Sequence, residues 1–177
     1  MSPLPAALAL PLLLLAAGCG DDTSDDAQDK RSDEPTRLVV TKADGSEVVF
    51  DEVTATCGPS ENDPDKVVVR IEGISDDTHL SSEIVEADVE GDPTLALPID
   101  FGDQEQGVRN LYLFIGAAPD LETSTTQEES TGIVEVLRAS CDPVEVELTI
   151  DATLASEYFD GEAVDVEGRL VFPAPAG

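Results

Sequence analysis

Val144-Glu145-Val146-Glu147-Leu148-Thr149-Ile150-Asp151 places an apolar residue at every second position, with an acid or Thr between. Successive side chains of an extended chain point to opposite faces, so Val144, Val146, Leu148 and Ile150 share one face and the acids the other. The stretch therefore reads as a strand with one side in a core and one in water. The same alternation returns in Val164-Asp165-Val166-Glu167-Gly168-Arg169-Leu170-Val171-Phe172, with Val164, Val166, Leu170 and Phe172 inward. It returns again in Leu95-Ala96-Leu97-Pro98-Ile99-Asp100-Phe101, where Pro98 lacks an N–H and marks an edge or bulged strand.

Working outward, further strands are expected at 37–42, 46–50, 53–57, 66–74, 83–90, 108–115 and 132–140. Asn110-Leu111-Tyr112-Leu113-Phe114-Ile115 is apolar on both faces, which predicts a central strand with a second layer covering it. Asp44-Gly45 and Asp160-Gly161 supply the positive φ of tight turns. Pro119 to Ser130 is polar and rich in Thr and Ser, and reads as a long exposed loop. Helical periodicity is confined to one turn near Leu154-Ala155-Ser156-Glu157-Tyr158. About nine or ten short strands without helices predict an all-β domain over 37–172, an antiparallel β-sandwich or flattened barrel, with 173–177 a disordered tail.

Composition narrows the function. The 177 residues carry 39 acids against 9 Lys and Arg and one His, a formal net charge of −30. The few cations are scattered, so no basic patch exists to neutralise phosphates, which excludes nucleic acid as a partner. With five Phe, two Tyr and no Trp, few residues are available for a sugar platform or a base-stacking surface. Three readings of the acidity remain open: solubility and protection of strand edges, a high-salt habitat, or docking onto a basic partner.

The N-terminal segment speaks to location. Met1 to Gly18 carries no charge, and Leu4 to Ala17 is a 14-residue run of Leu, Ala and Pro. A membrane-spanning helix needs roughly 20 residues, so the run suits the apolar core of a signal peptide better than a permanent anchor. It ends in Leu15-Ala16-Ala17-Gly18-Cys19. That segment resembles the lipobox of bacterial lipoproteins, carried by Ala16-Ala17-Gly18-Cys19; it departs from that pattern in having no Lys or Arg after Met1. The resemblance implies cleavage between Gly18 and Cys19 and a diacylglyceryl group on Cys19, with a further acyl chain on the new amine. Two or more chains give stable anchoring where one gives only marginal binding. Residues 1–18 are then a lipoprotein signal peptide, and 19–36 a lipidated cysteine with a disordered acidic linker, since Gly20 to Pro35 has no aliphatic residue larger than Ala. The order of parts is also loosely similar to the mycobacterial 19 kDa lipoprotein antigen family, through Thr54-Ala55-Thr56-Cys57 leading into Val67-Val68-Val69-Arg70-Ile71. In that family the second cysteine lies at the chain end, whereas two strands are expected after Cys141, and no site residues carry over.

Export leaves Cys57 and Cys141 in an oxidising compartment, where an even pair forms a structural disulfide. Each lies in a similar setting, Ala55-Thr56-Cys57-Gly58-Pro59 and Ala139-Ser140-Cys141-Asp142-Pro143, ending a strand before a turn with Pro. A redox or metal thiolate site is disfavoured because there is no Cys-x-x-Cys and only one His.

His79, in Ser75-Asp76-Asp77-Thr78-His79-Leu80, lacks a Gly-x-Ser-x-Gly nucleophile turn and reads as a loop histidine. Calcium is a weaker candidate ligand at Asp63 and Asp65, at Asp100, Asp103 and Glu105, and around Asp160-Gly161-Glu162. None matches the EF-hand spacing, and acids this abundant fall at short spacings by composition alone. The sequence thus predicts no catalytic set and no cofactor. It describes a non-enzymatic lipoprotein on the outer face of the plasma membrane, or of the outer membrane if the organism has one. Its partners are membrane lipid through Cys19 and an unknown envelope protein; the alternative is a small-ligand or calcium-binding module.

Overall fold

The computed structural model describes residues 34–60, 64–85, 92–100, 110–117, 121–158 and 161–173. Expectations for Gly18, Cys19, Asp63, Asp103, Glu105 and Asp160 lie outside these residues. The strands are β1 (Arg37–Thr41), β2 (Glu47–Phe50), β3 (Thr54–Pro59), β4 (Val67–Ser75), β5 (Thr78–Val85), β6 (Thr94–Ala96), β7 (Leu111–Ala117), β8 (Leu121–Ser124), β9 (Thr131–Cys141), β10 (Val144–Leu154) and β11 (Val164–Phe172). They form a six-stranded sheet, β2-β1-β11-β10-β9-β6, and a five-stranded sheet, β3-β4-β5-β7-β8. Every pairing is antiparallel. The two sheets pack as a sandwich and do not close into a barrel.

Alternation builds the core. Val146, Leu148 and Ile150 of β10 and Val164, Val166 and Leu170 of β11 point between the sheets and are buried. They meet Val69 and Ile71 of β4, Leu80 and Ile84 of β5, and Leu111, Leu113 and Ile115 of β7. Register slips once: β9 carries an extra residue opposite Glu147 and Leu148 of β10. The bulge moves its inward set from Val134 and Val136 to Ala139 without turning either group outward. In the β1–β2 turn Gly45 has φ 81°, and the Ser46 N–H donates to Asp44 Oδ1 at 2.9 Å. Hydrogen bonds from Ser46, first from its hydroxyl and then from its N–H, hold the Asp44 carboxyl below its ordinary range.

Three local expectations are corrected. Residues 121–130 are not one exposed loop: they form β8 and a turn that is buried at both ends, with Thr123, Ser124 and Thr125 at 0% exposure and Ser130 at 1%, while Glu128 and Glu129 between them are exposed. Hydroxyls here take the place of missing ladder bonds. The Leu113 N–H donates to Thr125 Oγ1 at 3.0 Å. Ser130 Oγ donates to the Ser124 carbonyl and accepts from the Ala155 N–H, both at 2.8 Å. Polar composition marks a surface only when its hydrogen bonds go to water. Second, β5 begins at Thr78, so His79 sits on a strand and not in a loop. Third, no helical turn follows Leu154; Ser156 bridges Thr123 instead. The expectation for β7 holds: it lies inside its sheet between β5 and β8, with Leu111, Leu113 and Ile115 buried under the second sheet and Tyr112 and Phe114 half-buried on the outer face.

One covalent bond joins the sheets. Cys57 on β3 and Cys141 at the end of β9 are linked, with Cα atoms 5.8 Å apart and a sequence separation of 84. Cys57 is followed by two more residues of β3, so only Cys141 ends its strand. Closing a loop that long removes unfolded-state entropy worth ~4 kcal/mol before strain is subtracted. A Cys57→Ala, Cys141→Ala double variant should unfold in urea with a stability lower by ~3–4 kcal/mol. Coincident unfolding curves for the variant and the parent would show that the bond adds nothing. Ser130→Ala should cost ~2–3 kcal/mol by the same measurement, because it orphans the buried Ala155 N–H.

Candidate functional site

The outer face of the six-stranded sheet carries the densest arrangement of ionisable groups that the described residues bring together, and strand register sets it row by row. Nearest the β1–β2 turn, Glu47 pairs with Thr41, Thr41 with Asp165, and Asp165 with Thr153. Thr153 Oγ1 donates to Asp165 Oδ1 at 2.7 Å. In the next row Val39 pairs with Glu167, and Glu167 with Asp151. In the third, Arg37 lies opposite Arg169, and Arg169 opposite Thr149. Beyond it Glu147 faces Arg138, and Glu145 faces Ser140.

The two halves of this face differ in chemistry. Glu47, Asp151, Asp165 and Glu167 have no basic residue among them, and two of them, Asp151 and Glu167, are direct cross-strand partners. Like charges placed opposite each other destabilise a sheet. The other half is an ion-pair ladder. Arg138 Nη1 lies 2.9 Å from Glu145 Oε2, and Arg169 pairs with Glu147 through Nη2 and with Glu34 through Nη1 at 3.5 Å. Arg169 also packs over Glu147, which keeps that carboxylate only 8% exposed on an outward strand position. Thr36 fixes the entry of the chain: its hydroxyl donates to the Val171 carbonyl and accepts from the Val171 N–H, both at 2.9 Å.

Two shallow depressions flank the ridge made by Asp165 and Glu167. One, of about 420 Å³, is bounded by Arg37 at one end and by Glu47 and Asp165 at the other, with Val39 and Gly168 in its floor. The second, of about 330 Å³, lies across the ridge beside Asp151, Thr153 and Thr131. Gly168 has φ 133°, and a Cβ there would collide with the Arg37 carbonyl oxygen. Glycine is therefore required where β11 passes closest to β1.

Of the residues singled out from sequence, Cys57 and Cys141 are brought together, and the described acids are not gathered into a metal site. Asp65 is exposed in the turn before β4. Asp100 is exposed after β6, where its carbonyl accepts from Asn110 Nδ2 at 3.1 Å. Among the described residues, no group of three or more His, Cys, Asp or Glu is placed to hold a metal ion. His79 is exposed on the outer face of the other sheet, between Ile74 and Gly116, with no Ser or Asp hydrogen-bonded to it among the described residues. The charged rows escaped sequence reading because each joins strands distant in the chain. The legible signal was the spacing of Asp165, Glu167 and Arg169, which puts all three on one face.

On the five-stranded sheet, Tyr112 packs against Val68 and Val85 and donates its hydroxyl to Glu157 Oε1 at 3.4 Å. Burial, then the nearby Glu157 and Glu122 carboxylates, push the phenol up to about 12.

The fold and this face define an acidic, disulfide-linked antiparallel β-sandwich. No protein-family model, curated protein or solved structure matches the chain.

The Tyr112 environment sets a pH dependence. The folded state holds the phenol proton beyond the ordinary value of 10.0, so this group's contribution to stability is complete below pH 10 and lost as pH rises through about 12. In an ultraviolet titration one of the two tyrosines should ionise near pH 12. Glu157→Gln should lower that midpoint while leaving it above 10, since burial is the larger cause. Two tyrosines ionising together near pH 10 would contradict this environment.

Proposed function

We propose that the chain is an exported bacterial lipoprotein, acylated at Cys19, that presents its acidic β-sandwich to a partner at the cell envelope and does not itself carry out a reaction. The reading is carried by Leu15-Ala16-Ala17-Gly18-Cys19 at the end of an uncharged apolar run and just before an acidic, core-less linker. The Cys57–Cys141 bond supports it in two ways. Disulfides of this structural kind persist in oxidising compartments outside the cytosol. The bond also accounts for two of the three cysteines, leaving Cys19 for a different chemistry.

An interaction role is favoured by the charged face of the six-stranded sheet. It is polar and built from residues on strands, with carboxylates set against carboxylates at a cost in stability. A surface shaped for solubility alone would intersperse its charges. The acidic half of this face, with Glu47, Asp151, Asp165 and Glu167, repels phosphate and attracts cationic groups.

The test is intact mass spectrometry of the protein from the envelope fraction, beside a Cys19→Ala variant. The expected result is a chain beginning at Cys19 and carrying acyl mass, with the variant uncleaved and unacylated. A soluble chain cut elsewhere and free of acyl groups would overturn the anchored reading.

A further inference from the structure

We propose that the depression between β1 and β11 binds a short peptide with both ends free, its carboxylate at Arg37 and its amine among Glu167, Asp165 and Glu47. The inference goes beyond the anchored role and does not depend on Cys19.

The argument begins with charge placement. A chain with 39 acids and 9 basic residues has carboxylates available for every cation. Arg70 and Arg138 lie against Glu83 and Glu145, and Arg169 against Glu147 and Glu34. Arg37 has neither a hydrogen bond nor an ion pair among the described residues, although it is exposed at the end of a depression of about 420 Å³. Its cross-strand partner is another cation, Arg169, whose own guanidinium is already paired. A guanidinium left open beside a second one is poised to take a planar anion, and a carboxylate matches its fork of N–H donors.

The opposite end has the opposite sign. Glu167 stands one row from Arg37, and Asp165 and Glu47 stand two rows away, on either side of Thr41. Glu167 and Glu47 likewise have no partner among the described residues. Along a strand one row of same-face residues measures ~7 Å and two rows ~13 Å. An extended tripeptide spans ~10 Å between its ends, which falls between the two. A ligand with a single charge satisfies only one end, and a diacid or a diamine meets repulsion at the other. The floor also suits a peptide: Val39 offers apolar contact between the charged ends. Gly168 cannot be replaced without collision, so the depression is fixed by the packing of β11 on β1.

Trialanine is the probe, added to the purified full-length protein and followed by nuclear magnetic resonance, with N-acetyl-trialanine and trialanine amide as controls. Millimolar trialanine should shift the backbone signals of Val39, Thr41, Glu167 and Gly168, and the shifts should shrink as salt is raised. Blocking either end should weaken binding by about threefold or more. Arg37→Gln should weaken trialanine to the same extent yet leave the amide unaffected, and Glu167→Gln should do the same for the acetylated peptide, because each pair then no longer exists. Shifts confined to other surfaces, or no shift at all, would overturn the proposal. So would equal binding of trialanine and its amide, which would reduce the effect to general attraction of amines by an acidic protein. Since lipidation is read by mass and this binding by titration, either result stands without the other.

Discussion

The placement of β11 between β1 and β10 is the constraint on which the rest of this structure depends. The last strand of the chain fills the gap between the first strand and the longest hairpin, and its nine residues form ladders on both sides. Without it the β1–β2 hairpin has no hydrogen-bonded route to the rest of its sheet. Two contacts make the fit specific: Thr36 exchanges hydrogen bonds with Val171 across 135 positions, and Gly168 lets the Arg37 carbonyl approach where any Cβ would clash. These contacts set the register, and register decides which side chains become neighbours. Both the ion-pair ladder and the acidic ridge follow from that one alignment.

The two sheets are not joined by a strand ladder face to face, and besides the backbone bonds between β8 and residues 155–157, two other links hold them. At one place the Cys57–Cys141 bond ties β3 to β9. At another, Ser130 joins the Ser124 carbonyl of β8 to the N–H of Ala155 beyond β10. One link is covalent and acts chiefly on the unfolded chain, and the other is a buried polar contact that acts on the folded one. Between them lies a core of Val, Leu and Ile with Phe50 as the one fully buried aromatic ring among the described residues.

Much of the fold was legible because alternation reports directly on burial. Val146, Leu148 and Ile150 are inward as their spacing predicts, and Asp44-Gly45 makes the expected turn. Pro98 pointed to an edge, and the strand just before it, β6, is one. What was illegible has physical reasons. Leu121-Glu122-Thr123-Ser124 reads as surface because hydroxyls are ambiguous: in water they are solvated, and in a core they complete backbone hydrogen bonds. His79 looked like a loop residue because Asp76 and Asp77 crowd its approach, yet only those two residues separate β4 from β5. The face with Arg37, Asp165 and Glu167 could not be assembled from sequence, because Arg37 and Arg169 are neighbours only through strand pairing. Composition announced the acidity; topology sorted it into an end where Arg and Glu balance and an end of carboxylates alone.

The position of β11 bears also on how such a chain comes into being. Synthesis and any threading through a pore proceed from the N-terminus, so β1 and β2 emerge first and the strand that holds them emerges last. Until residues 164–172 are free, the six-stranded sheet has a slot at its centre, and the hairpin on its far side has no hydrogen-bonded partner in the rest of the sheet. A chain paused before β11 is therefore denied the final topology of this sheet, and the six strands are joined only when β11 takes its place between β1 and β10.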